Sequence, residues 1–185
     1  MHAILVFGDS IAFGRGNNTQ RGWTGRLRKY FESLDEYNAI YNLAIPGETS
    51  TGLLARIEQE AKARTKKIRK EDKHAIILAI GINDSRLLGS SQIPQTRPEV
   101  FQENITKLIQ IAKTHAQDVV CIGLTPVDEE KTAPYEQTWF TNTRIQEYNA
   151  ILEEISAQEK IPFLNFFTQL QENNFSTLLV AGLDE

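Results

Sequence analysis

An unbroken apolar run, Ala3-Ile4-Leu5-Val6-Phe7, stopped by Gly8-Asp9-Ser10, narrows the folds open to this chain. A short apolar run with β-branched residues, ended by glycine, reads as a strand buried on both faces of a parallel sheet. The pattern returns at Ala75-Ile76-Ile77-Leu78-Ala79-Ile80, ended by Gly81-Ile82-Asn83-Asp84. It returns again from Val119 to Leu124, ended by Thr125-Pro126, and more briefly from Ile161 to Phe166. Tyr37 to Leu43 alternates toward a further strand. Between these runs the apolar residues recur at helical spacing: Trp23, Leu27, Tyr30, Phe31 and Leu34; then Leu53, Leu54, Ile57 and Ala61, behind the N-cap candidates Thr49, Ser50 and Thr51. Two more helices carry Phe101, Ile105, Leu108, Ile109 and Ala112, and Ile145, Tyr148, Leu152 and Ile155. The stretch through Gly89, Pro94 and Pro98 reads as a long loop, Val127 to Gln137 as a charged loop, and Leu170 to Leu179 as a short helix or turn. Five strands alternating with helices predict an α/β protein: a three-layer α/β/α sandwich around a flavodoxin-like, five-stranded parallel sheet.

The 185 residues suffice for one domain with a substantial core, and residues 1–185 are read as that single domain. A net charge of −4 gives no electrostatic case for nucleic acid. The basic residues from Lys62 to Lys73 therefore read as a solvated helix end that complements the helix dipole. No apolar stretch approaches the ~20 residues that span a bilayer. Cys121 is the one cysteine and lies in a strand, where a thiol acts as a small hydrophobe. The first strand begins by residue 3, ahead of any room for a signal peptide, so the expected location is cytoplasmic.

In a parallel sheet all strands end on one rim, and ligands bind there. Ser10, Gly47, Asn83-Asp84 and Thr125 therefore gather despite their separation in sequence. Taken singly, Ser10 reads equally as a turn cap, Gly47 as the turn glycine after Pro46, and Asn83 as a partner for its own backbone. Taken together, they match what acyl transfer needs, a nucleophile with donors for the developing oxyanion. Ser10 is the nucleophile candidate and offers its own N–H. Gly47 offers a second backbone N–H, and Asn83 an uncharged side-chain amide.

Phe7-Gly8-Asp9-Ser10 resembles the first sequence block of the GDSL, or SGNH, hydrolases. Asn42-Leu43-Ala44-Ile45-Pro46-Gly47-Glu48-Thr49 resembles the second block, and Gly81-Ile82-Asn83-Asp84 the third. Arg21-Gly22-Trp23 and Tyr148-Asn149 are similar to family sequences as well. The resemblance implies a serine esterase or acyl hydrolase that cleaves carboxylic esters through a seryl-acyl intermediate. It implies Ser10 as the catalytic nucleophile, and Ser10, Gly47 and Asn83 as the oxyanion hole. Asp9 and Asp84 support that corner. The partner implied is a small-molecule ester, with no metal or organic cofactor.

The family's last block, Asp-x-x-His, is not matched. Its place reads Ala181-Gly182-Leu183-Asp184, with Ala181 where the aspartate stands and Asp184 where the histidine base stands. His2 and His74 fall at the wrong ends of their strands, and His115 at a helix terminus. The closing helix that follows this block is also missing from the sequence. The chain therefore reads as a truncated hydrolase, as a pseudoenzyme that binds esters or carbohydrates without turnover, or as a subunit that borrows its base. Apolar sheet surface is then expected to lie exposed, which favours a homo-oligomer. Aromatic residues Tyr135, Trp139 and Phe140 are expected to line the pocket or to pack locally. Other enzyme classes fail on motif: no G-x-S-x-G, P-loop or HExxH is present. A receiver-like signalling domain accounts for Asp9, Asp84 and Thr125 but needs a lysine after the fifth strand, where Asn165-Phe166-Phe167 stands.

Overall fold

The apolar runs form the strands of one sheet because each pairs along its length with a neighbour of the same direction. The computed structural model describes residues 2–17, 21–67, 69–90 and 92–172. In chain order the elements are β1 (His2–Gly8), α1 (Ser10–Phe13), α2 (Gly22–Leu34), β2 (Ala39–Asn42), α3 (Ser50–Leu54), α4 (Ile57–Arg64), β3 (Lys73–Ala79), α5 (Ile82–Ser85), β4 (Leu87–Leu88), β5 (Ile93–Pro94), α6 (Pro98–His115), β6 (Asp118–Ile122), α7 (Glu129–Thr132), β7 (Thr138–Trp139), α8 (Asn142–Gln158), β8 (Phe163–Leu164) and α9 (Phe167–Glu172). The main sheet has five strands in the order β2-β1-β3-β6-β8, all parallel. Position by position this is the flavodoxin-like order, and the three-layer α/β/α reading holds.

Alternate residues of each strand serve different layers. Leu5, Phe7, Ile76, Leu78, Val119 and Cys121 face α3, α4, α6 and α8 in the larger core. On the other face Val6, Ile40, Ala12 and Ala44 pack with Trp23, Leu27 and Phe31. Beyond α2 that second face is less covered by described residues. There the sheet, α2 and the segment after β8 line a half-open cavity of about 830 Å³, bordered by Asp9, Ile11, Ile77, Ile122, Leu164 and Phe166. No helix among the described residues is long and apolar enough to cross a membrane.

Two local expectations need correction. The helix expected from Thr49 onward is two, α3 and α4, broken at Ala55-Arg56, although Leu53, Leu54, Ile57 and Ala61 keep helical spacing across the break. The expected long loop after Asp84 contains β4 and β5, which join β7 in a three-stranded antiparallel sheet. Trp139 pairs with Leu87 in that sheet, Phe140 packs on the larger core, and Tyr135 is exposed. None of these three aromatics borders the 830 Å³ cavity, so of their two readings local packing is the one that holds for Trp139 and Phe140.

Candidate active site

Order reverses between β1 and β3, so the crevice expected of an open α/β sheet lies beyond the carboxyl ends of these two strands. Gly8 ends β1 at a point with no room for a side chain. A Cβ there would lie 2.5 Å from the Ala79 carbonyl oxygen and 2.6 Å from the Ala12 Cβ. The chain turns at once into α1. Asp9 caps this single turn, its Oδ1 accepting from the Ile11 N–H at 2.9 Å. Ser10 is the first residue of α1 and is half-buried. Its backbone N–H has no acceptor among the described residues.

The segment after β2 continues along β1. Leu43 N donates to Val6 O at 2.8 Å and Ile45 N to Gly8 O at 3.0 Å, which brings the next residues to the same corner. Asn42 fastens this path to α1, donating from Nδ2 to Ala12 O at 3.0 Å and accepting from Ala44 N at 3.1 Å. Gly47 has φ 81°, in the left-handed region that disfavours a side chain. A Cβ on Gly47 would meet nothing within 4 Å, so the backbone conformation demands glycine and the space beside it is open. Among the described residues nothing accepts from the Gly47 N–H.

Beyond β3, Gly81 (φ 135°) lets the chain pass the Phe101 ring, which a Cβ would approach to 2.9 Å. Asn83 and Asp84 then sit on the one-turn α5, and both are buried. Asn83 donates from Nδ2 to Glu48 O at 3.0 Å. An amide nitrogen carries two N–H bonds, so one remains for a ligand. Asp84 accepts from Ser50 N at 2.9 Å and from Ser50 Oγ at 2.6 Å. Asn104 of α6 extends the network, donating to Ser50 Oγ and to Thr51 Oγ1, each at 3.0 Å. Thus the sheet brings the Ser10 corner, the Gly47 loop and Asn83 together, as their positions in sequence imply. Thr125 lies nearby, on the border of the 830 Å³ cavity.

Two carboxyl groups here are electrostatically unusual. Burial is the main cause that pushes Asp9 up to about 7, opposed by the Ile11 N–H and reinforced by the charges of Asp84 and Glu48. Burial also raises Asp84, against the hydrogen bonds from Ser50 and Thr96.

The histidines stand elsewhere. His2 and His74 are the first residue of β1 and the second of β3, at the opposite rim, and His115 ends α6 beside Glu58, with Nε2–Oε1 3.1 Å. The hydrogen bond from Gln117 N to His74 O, 3.1 Å, ties the end of α6 to that same rim. Ala181 and Asp184 lie outside the described residues. Asn104 carries no signal in the sequence, since an asparagine on a helix is unremarkable until Ser50 and Thr51 are found beside it. Ser50 was one of three N-cap candidates, while Thr49 fills that role and Ser50 binds Asp84. Tyr148 and Asn149 of α8 act as scaffold: the Tyr148 hydroxyl donates to Thr96 O, and Asn149 Oδ1 accepts from Leu124 N at 2.8 Å.

Residues 6–182 match the model of the GDSL-like lipase/acylhydrolase family. The chain belongs to that family. The chain is similar to Esterase TesA of Pseudomonas aeruginosa, 26% identical over 167 residues, which cover 90% of this chain and 71% of that one. Among solved structures, a lipolytic G-D-S-L family protein from Veillonella parvula aligns with a TM-score of 0.67 at 23% identity, covering 94% of this chain and 82% of the other. Esterase EstA from Pseudoalteromonas aligns with a TM-score of 0.68 at 18% identity, covering 96% and 83%. At such identities the two structures speak for the fold. Family membership and the relative place this GDSL-like protein among hydrolases that act on esters.

Proposed function

We propose that this protein hydrolyses carboxylic esters through an acyl-enzyme on Ser10. Ser10 Oγ attacks the ester carbonyl, the alcohol leaves, and water releases the acid from the seryl ester. The charge that develops on the carbonyl oxygen is met by three donors: the N–H of Ser10, the N–H of Gly47 and the free N–H of the Asn83 amide. The single observation behind this reading is that these donors lack competing acceptors among the described residues, while the Asn83 amide is oriented through Glu48 O at 3.0 Å. Donors fixed before the charge appears need no reorganisation when it does. Asp9 and Asp84 act by shaping the corner, one capping α1 and the other holding Ser50. None of the histidines described lies on this rim, so the group that takes the Ser10 proton is not among them.

The esterase activity named for the Pseudomonas aeruginosa relative favours an ester substrate here as well. The test is hydrolysis of p-nitrophenyl acetate, with labelling by a fluorophosphonate read by mass spectrometry. The wild type is expected to turn over and to carry the label on Ser10. Ser10→Ala is expected to lose the label and at least about 10³-fold in rate. Turnover unchanged in Ser10→Ala overturns the mechanism. Saturable binding of the ester by a wild type that never hydrolyses it overturns turnover and leaves a binding site.

A further inference from the structure

The segment carrying Gly47 is gripped at both ends by one side chain. Arg56 occupies the break between α3 and α4, and there its guanidinium turns back toward the sheet. Arg56 Nη2 donates to Leu43 O at 2.7 Å, where the segment leaves the sheet. Arg56 Nε donates to Glu48 Oε1 at 2.7 Å and Nη2 to Glu48 Oε2, one residue past Gly47. The guanidinium also lies over the Phe7 ring, 5.6 Å from its centroid, three residues ahead of Ser10. Both ends of the pair are shielded, with side-chain exposures of 18% for Arg56 and 7% for Glu48. Glu48 in turn presents its carbonyl to the Asn83 amide at 3.0 Å.

We infer that Arg56 is a positioning residue for the oxyanion donors, fixing Gly47 and, through Glu48, Asn83 against the strand that delivers Ser10. This rests on the reading of Ser10, Gly47 and Asn83 as the acyl site. The planar fork of arginine matters because it binds a carboxylate with two parallel bonds and a carbonyl with a third N–H, whereas an ammonium is a compact point charge. Glu48 matters twice, its carboxylate receiving the fork and its carbonyl orienting the amide.

The experiment compares Arg56→Ala, Arg56→Lys and Glu48→Gln with the wild-type chain by two readouts. The first is steady-state hydrolysis of p-nitrophenyl acetate. The second is amide hydrogen exchange at Ile45 and Glu48, whose N–H groups bond to Gly8 O and Ile45 O, against Ile76 and Leu78 in the core. Arg56→Ala is expected to lower kcat by about 10–100-fold with KM within about twofold, because displaced donors weaken the transition state more than the ground state. Exchange at Ile45 and Glu48 rises at least about tenfold while Ile76 and Leu78 keep wild-type rates. Arg56→Lys restores less than half of the lost kcat, and Glu48→Gln falls between it and the wild type. Wild-type kcat in Arg56→Ala, or unchanged exchange at Ile45 and Glu48, overturns the inference. If Arg56→Ala does not fold, Arg56→Lys decides by the same readouts. A wild type without hydrolysis overturns the proposed function instead, and exchange alone then judges the grip of Arg56 on the segment.

Discussion

At the carboxyl rim of the sheet, Asp84 is fully buried and receives the N–H and the hydroxyl of Ser50 at 2.9 and 2.6 Å. At the amino rim, His74 is as deeply buried, and neither of its ring nitrogens has a partner among the described residues. Both rims thus pay to desolvate a titratable side chain, but only one surrounds it with bonds. The carboxyl rim is a set of polar groups that orient one another and leave a few donors without an acceptor among the described residues. At the amino rim the His74 ring has no such partners among the described residues. A network of this kind fixes geometry, which chemistry requires, whereas an unpartnered group fixes nothing.

The two rims should also answer to pH with opposite sign. Asp9 is raised from 3.8 to about 7, so the folded protein holds its proton more tightly than the unfolded chain. Its contribution to stability is full below pH 4 and is lost as pH rises through about 7. The loss runs at up to about 1.4 kcal/mol per pH unit across that window. Asp9→Asn keeps an oxygen to cap the Ile11 N–H and cannot ionise. Urea unfolding from pH 4 to 8 should show the wild type weakening relative to Asp9→Asn, the largest effect expected here. Parallel curves would mean that Asp9 is ionised throughout.

Removing a donor should separate function from stability at the same rim. Asn83→Ala is expected to cut kcat for an aryl acetate by about 10²–10³-fold. It should cost about 1 kcal/mol in unfolding, since one bond to Glu48 O is lost. A large stability loss with intact kcat would make Asn83 part of the scaffold alone. Asp84→Ala should invert the balance. It strands the Ser50 N–H and hydroxyl in a buried site and should destabilise by about 3 kcal/mol in urea unfolding.

Much of this rim was legible in the sequence because each strand announces its own end. Apolar runs stopped at Gly8 and Gly81 locate Ser10 and Asn83, and parallel topology brings those ends together. What stayed hidden had no periodic signature. Two-residue strands at Leu87–Leu88 and Thr138–Trp139 are too short to alternate. The break at Ala55-Arg56 is masked by apolar residues that keep helical spacing through it. Arg56 belongs to no motif or basic run, and only the fold turns it inward onto Glu48 and Leu43. Ser50 reads as a helix cap because its real partner, Asp84, is thirty-four positions away.

The amino rim supplies the smallest and most discriminating test. Burial lowers the pKa of His74 below the ordinary 6.5, with Asp72 opposing and Lys67 assisting. The folded state therefore binds the His74 proton less tightly than the unfolded state. Its contribution to stability is present above pH 6.5 and is lost as pH falls below it, the reverse of Asp9. His74→Phe removes two unpartnered nitrogens while keeping a ring in the core. It should raise stability by up to about 1 kcal/mol at neutral pH and remove the loss on the acid side of 6.5. Ester hydrolysis should be unchanged, because His74 is the second residue of β3 and Asn83 follows the other end of that strand. A fall in kcat with unaltered unfolding would tie this rim to the chemistry and erase the contrast. An intact rate with a flattened acid limb would instead assign His74 to packing, and leave the activation of Ser10 to a group other than this histidine.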